Sequence, residues 1–219
     1  NRGLLTHNGT ALTRLIPYRI SKSVVLIGRG KELVNAVQHA MDSGTDVMFM
    51  CMGSYPRPMI EAVAREAYYR GVIWVCAAGN EVEVVVAPAL YEGTVAVAAI
   101  NPDDRPWKGS SNGPMVDIAA PGEKVYVPGW DKERREVMSY GDGTSYATPH
   151  VASAAMLWKA CHLNELRKRY NAPWQVVEAF RWCLMRYARK DAALPTGLYG
   201  AGVLNVDALL RGKLPAAND

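Results

Sequence analysis

The stretch KELVNAVQHAMDSGTDVMFM, residues 31–50, decides the fold class. Leu33, Val34, Val37, Ala40 and Met41 recur at helical spacing and share one face. Gly44 follows as a C-cap, and an apolar run of strand length, Asp46 to Met52, comes next. The unit is then repeated. Pro58 opens a second helix in its first turn. Met59, Ile60, Val63, Ala64 and Ala67 stripe that helix, Gly71 ends it, and Val72 to Ala77 is again an apolar strand. Apolar strands alternating with amphipathic helices predict a parallel sheet covered on both faces. Thr94 to Ile100 extends the sheet, and an earlier strand is expected in Pro17–Ile20 or in Val24–Ile27.

Downstream, residues 102–140 carry short strand-like pieces (Val116–Ala119, Lys124–Val127, Glu136–Tyr140) between Gly, Pro and Asp turns. A long helix is expected from about Ser145 to Cys161. A basic helical stretch over 162–190 and a short tail follow. No linker divides the chain, so residues 1–219 read as one α/β domain. A length of 219 residues suits a single domain with a large core. With 49% apolar and 21% charged residues the composition is globular.

Lys+Arg 25 against Asp+Glu 21 leaves a net charge of +4, too small to imply nucleic acid. No apolar run reaches the roughly eighteen residues of a membrane span, so no membrane partner is expected. Asn1 to Thr6 has no apolar core of a signal peptide. A mature secreted form would also lack one, which leaves the compartment open. None of the 4 cysteines lies in a CxxC pair. Cys51 and Cys76 read as reduced, buried thiols, a weak lean toward a reducing, cytoplasmic compartment.

The chemistry concentrates in GDGTSYATPHVASAA, residues 141–155. Gly143 and Thr144 make a tight turn and Ser145 opens a helix of small residues. Its hydroxyl then lies beside free backbone N–H groups at the positive end of the helix dipole. Such donors stabilise an oxyanion formed next to the serine oxygen. An N-cap serine is the ordinary reading of that position. Pro149 inside the helix and the run of alanines argue for something more specific.

The segment Gly143-Thr144-Ser145-Tyr146-Ala147-Thr148-Pro149-His150 resembles the nucleophile motif of the subtilisin-like serine proteases. Ala77-Ala78-Gly79-Asn80-Glu81 resembles their oxyanion loop. Ser110-Ser111-Asn112-Gly113-Pro114, Asp117, Ala120-Pro121-Gly122 and Ala87-Pro88-Ala89 match in the same order, so the resemblance is collinear over about 31–160. It implies a three-layer sandwich with a mostly parallel central sheet flanked by helices, with its N-terminal part missing or shortened. It also implies a serine endopeptidase acting on protein or peptide substrates. Ser145 would be the nucleophile, and Asn80 with the Ser145 N–H would hold the oxyanion. Cys51, Met52 and Gly53 would pair with an extended substrate, and Ala77, Ala78 and Gly79 would line the first specificity pocket.

The base is less regular. The family's histidine opens a helix in a His-Gly-Thr motif, whereas this chain reads Thr6-His7-Asn8-Gly9-Thr10. Either His7 serves through a one-residue insertion, or Asn8 holds the position and the base is lacking. Asn cannot take the serine proton, and neighbouring helical residues point about 100° apart. No acidic residue precedes His7 to orient it. Asp103, Asp104 and Asp117 all follow it, and the resemblance gives none of them that role.

Two other readings come from different classes. A relative without base and Asp would be a peptide-binding or regulatory module. Arg167, Lys168, Arg169, Arg181, Arg186, Arg189 and Lys190, interleaved with Trp174, Phe180 and Trp182, could instead stack on nucleic acid. The plainer expectation is an amphipathic helix pair with its aromatics turned inward. His150 reads as a packed structural residue. No metal-ligand pattern stands out, and calcium is implied by the resemblance alone.

Overall fold

A computed structural model describes residues 13–217 in full, and the backbone of residues 6, 7, 10 and 11. Thr6–His7 (β1) pairs antiparallel with Thr10–Ala11 (β2), His7 opposite Thr10. The backbone at His7 therefore belongs to a hairpin and does not open a helix. The His7 side chain and all of Asn8 lie outside the described residues.

The repeated unit folds as its spacing predicts. Helix α1 (Gly30–Asp42) buries Leu33, Val37, Ala40 and Met41, and leads into β3 (Val47–Met50). Helix α2 (Pro58–Tyr69) buries Ile60, Val63, Ala64 and Ala67, and leads into β4 (Ile73–Ala77). Gly44 and Gly71 end the two helices at φ +72° and +75°, a conformation that glycine adopts without steric cost.

Strands β5 (Thr94–Ile100) and β6 (Ile118–Pro121) complete a parallel four-stranded sheet of order β3-β4-β5-β6. Every residue of β4 and β5 is buried. Their side chains alternate between two cores. Trp74, Cys76, Ala96 and Ala98 face the core of α1 and α2. Ile73, Val75, Val95, Val97 and Ala99 face the core of α3 (Thr144–Arg169) and α4 (Pro173–Arg186). Much of that second interface is made of methyl groups, with Ala99 and Ala120 on the sheet and Ala147, Ala154 and Ala155 on α3. Strands β7 (Val125–Trp130) and β8 (Glu136–Gly141) form a separate antiparallel hairpin, and α5 (Val206–Arg211) closes the chain.

Three expectations are corrected. Neither Pro17–Ile20 nor Val24–Ile27 is a strand; only a single parallel bridge joins Val25 to Gly53. Serine side chains intercept the backbone there. Ser21 Oγ accepts the Ser23 N–H and Ser23 Oγ accepts the Val25 N–H, at 3.0 and 3.2 Å. Such local bonds compete with a ladder. The helix from Ser145 does not stop near Cys161 but runs to Arg169, just before Pro173 starts the next helix. Of the three interleaved aromatics only Phe180 is buried. Trp174 and Trp182 are over a third exposed, at 37% and 36%. The basic residues are largely engaged. Arg169 pairs with Glu165 and Arg189 with Asp104, while Lys190 donates to the Ala201 carbonyl.

Asp117 ties α4 to the sheet. Its buried carboxylate accepts the Ala96 N–H at 2.8 Å and the Arg181 guanidinium at 3.0 Å. Burial pushes its carboxyl above the usual range, and Arg181 pulls it back down. Arg181→Met, which leaves that charge uncompensated, is expected to cost about 3–5 kcal/mol in urea unfolding at neutral pH. In the variant the folded-state carboxyl rises further above its unfolded value. Proton uptake then favours the fold, so the deficit should shrink as pH falls into the acidic range. A deficit independent of pH would contradict the pairing.

Candidate active site

The loops that leave β3 and β4 at their C-terminal ends, and the N-terminus of α3, meet at one place. This is where ligands gather in open α/β sheets. Gly143 positions the turn: its N–H donates to the Gly122 carbonyl at 2.7 Å and its φ is +148°. A Cβ at Gly143 would come within 2.9 Å of Asn80 Nδ2, so the glycine also leaves space for that amide.

Asn80 is oriented from one side. Its Oδ1 accepts both the Thr144 N–H (2.9 Å) and the Thr144 hydroxyl (2.8 Å). With the carbonyl end held, the Nδ2 donor is the end left to face a reacting group. The sequence reading placed Thr144 in the tight turn with Gly143 and did not assign it the orienting of Asn80. Its place in the Gly-Thr-Ser motif was the available signal.

Ser145 and Cys51 bond reciprocally. The Ser145 hydroxyl donates to the Cys51 carbonyl at 3.1 Å, and the Cys51 thiol donates to the Ser145 carbonyl at 3.2 Å. This accounts for Pro149. A proline four residues on cannot donate to the Ser145 carbonyl, and the Cys51 thiol takes the vacant place. Burial raises the Cys51 thiol to about 11, which keeps it protonated and able to donate at neutral pH.

Met52, Asn80, Asp142 and Tyr146 join Cys51 and Ser145 along a groove of about 890 Å³. The groove continues along the outer side of β3, whose Phe49 is 45% exposed and which pairs only with β4 among the described residues. Gly53 is occupied: its N–H donates to the Val24 carbonyl and its carbonyl accepts the Leu26 N–H. Ala77 and Ala78 are buried at 4% and 0%, so their side chains offer no accessible wall. Gly79 is half-buried, and its N–H donates to the Thr144 hydroxyl oxygen at 3.3 Å.

Val86, which the sequence did not single out, stands between two loops of the candidate site. Its N–H donates to the Ala78 carbonyl. Its two methyl groups lie 2.9 and 3.1 Å from where a Cβ would stand on Gly53 and on Gly79. The side chain thus fills the space between the two loops. His150 is exposed, not packed as expected. Among the described residues no three His, Cys, Asp or Glu side chains cluster closely enough to hold a metal ion. No helix among the described residues is long and apolar enough to cross a membrane.

The family model of the subtilases matches residues 7–202. The chain belongs to the subtilase family. Subtilisin E of Bacillus subtilis (strain 168) is 33% identical over 145 residues, 62% of this subtilase chain and 36% of the relative. Subtilisin BL of Lederbergia lenta is 32% identical over 193 residues, 84% of this chain and 64% of the relative. The chain thus spans between about a third and two thirds of the length of these two. Among solved structures, PatG macrocyclase in complex with peptide superposes with a TM-score of 0.70 at 22% identity, over 85% of this subtilase chain and 58% of that one. The self-cleaved protease domain of PatA gives 0.68 at 24%, over 83% and 66%. At such identities these two likenesses bear on the fold, and they agree with the sandwich expected for a subtilase.

Proposed function

We propose that this chain carries the nucleophile and oxyanion site of a serine endopeptidase that hydrolyses peptide bonds through an acyl-enzyme on Ser145. The observation that carries this reading is the Asn80–Thr144–Ser145 arrangement. One side-chain donor is fixed by its own carbonyl end, beside a serine at a helix N-terminus. In the first step Ser145 Oγ bonds to the scissile carbonyl carbon and its proton passes to a base. The carbonyl oxygen becomes an oxyanion, held by Asn80 Nδ2 and the Ser145 N–H. Collapse breaks the C–N bond, the amine leaves with a proton from the base, and water then releases the acyl group. His7 is the proposed base of this chain. The resemblance assigns no residue of this chain to the orienting carboxylate.

A second reading is favoured by one specific contact. The Ser145 hydroxyl is turned to a backbone carbonyl, which suits a module that binds peptides without cleaving them. The readings separate in one experiment. A fluorophosphonate probe should label the folded chain at Ser145 and leave Ser145→Ala unlabelled. Absence of labelling, together with measurable binding of extended peptides, would reject the hydrolase and leave the binding module.

A further inference from the structure

We infer that Cys51 is a positioning residue: its thiol seats the backbone of Ser145 at the start of α3, and so governs how fast that serine is acylated. The inference rests on the reading of Ser145 as the reacting centre, and it names a residue that serves the reaction without touching the reacting atoms.

The first turn of α3 contains a carbonyl that the helix cannot pair in the ordinary way. The Thr144 carbonyl accepts the Thr148 hydroxyl at 2.7 Å. The Ser145 carbonyl, one residue on, stands opposite Pro149, which has no N–H to give. A part-buried carbonyl without a donor is costly. The Cys51 thiol donates to it at 3.2 Å. The direction of this bond is fixed, because a carbonyl oxygen only accepts. Burial keeps the thiol protonated, which the bond requires.

The two halves of the Cys51–Ser145 pair have different fates in the reaction. The Ser145 hydroxyl must leave the Cys51 carbonyl to bond the scissile carbon, so that contact breaks. The thiol holds a backbone oxygen that no step consumes, so its contact persists into the acyl-enzyme. The turn is then anchored from two sides. The loop leaving β4 holds Thr144, through the Thr144 N–H to Asn80 Oδ1 at 2.9 Å. The residue following β3 holds the Ser145 carbonyl. The Ser145 N–H and side chain lie between these anchors. With the thiol removed the turn is free to pivot about Thr144, and the Ser145 hydroxyl and N–H move relative to Asn80 Nδ2. Small displacements of that kind weigh on the rate of the chemical step more than on binding.

The test uses the full chain with p-nitrophenyl acetate, an active ester that has no acyl-side peptide to pair with the cleft. Cys51→Val fills the volume of the thiol without its donor. It should lower kcat about ten-fold or more with KM little changed. Cys51→Ala, which lacks the donor and leaves space, should fall with it. Cys51→Ser keeps a donor and should recover most of the loss. Cys161→Ala, an exposed cysteine on the same helix, should leave kcat unchanged. In the isotope-labelled chain the amide resonances of Ser145 and Tyr146 should move in Cys51→Val and return in Cys51→Ser, while those of α4 stay in place and report an intact fold. A kcat for Cys51→Val close to the original, Cys51→Ser as slow as Cys51→Val, or amide resonances of Ser145 indifferent to all three variants would overturn the inference. If the unaltered chain is acylated by neither the ester nor a fluorophosphonate, the hydrolase reading fails. The amide resonances still decide whether Cys51 seats the turn.

Discussion

Asn80→Asp should slow acylation of Ser145 by an active ester by at least about 100- to 1,000-fold, the usual loss for one side-chain oxyanion donor. That range was measured on a subtilisin, a relative of this chain, and is carried over rather than derived from the present geometry. The substitution is chosen because it isolates one atom. Aspartate keeps an oxygen where Oδ1 accepts the two bonds from Thr144. It replaces only the Nδ2 donor, and puts a negative charge where the oxyanion forms. Asn80→Ala should lose a similar factor through the donor alone. It should also lose some stability, because the Thr144 N–H is left without its acceptor. An acylation rate for Asn80→Asp within a few-fold of the original would remove Asn80 from the oxyanion site.

Val86→Gly should reverse the acyl-side preference of the site. With valine present, the space between Gly53 and Gly79 is filled by its two methyl groups. If this space is the proposed first pocket, it is shallow, and small side chains such as alanine should be acylated fastest. Removing the methyls opens space between Gly53 and Gly79, which an aromatic or long aliphatic side chain would fill. Each methylene buried in such a pocket is worth about 10- to 200-fold in discrimination at most. The ratio of phenylalanine to alanine acyl esters should therefore rise by at least about ten-fold. The measurement is kcat/KM for two esters differing only in that side chain. An unchanged ratio would show that Val86 does not face the substrate.

The helix–glycine–strand repeat was legible because its signals are local. Apolar periodicity, Pro58 and the two glycines each act over a few residues. The order Asn80, Asp117, Ser145 was also legible, since each stands in a short motif with its own turn chemistry. Val86 was not, because its role comes from two loops that are distant in sequence closing around one side chain. The failed strand at Val24–Ile27 had the right apolar residues. Its serines settled the outcome by capturing the backbone N–H groups. Trp174 and Trp182 were expected inward on pattern. Tyr68, which stacks on Trp174 at 6.2 Å, and Tyr187, edge-on to Trp182 at 6.1 Å, hold them at the surface instead.

The methyl-lined contact between the sheet and α3 has a consequence for how the site is calibrated. A Cβ on Gly122 would come within 2.6 Å of the Ala99 methyl and 2.8 Å of the Gly143 carbonyl. The contact beneath the Gly143 turn thus has no room for an added methyl group. Interiors packed this closely transmit an added carbon as displacement rather than absorb it. The height of Ser145 above the cleft is consequently set by the side-chain volumes of Ala99, Ala120 and Ala147, none of which meets a substrate. If Ser145 is the proposed nucleophile, the alanines under the helix act as the gauge blocks of the reacting centre, and substitutions there would register as misaligned chemistry before they registered as lost stability.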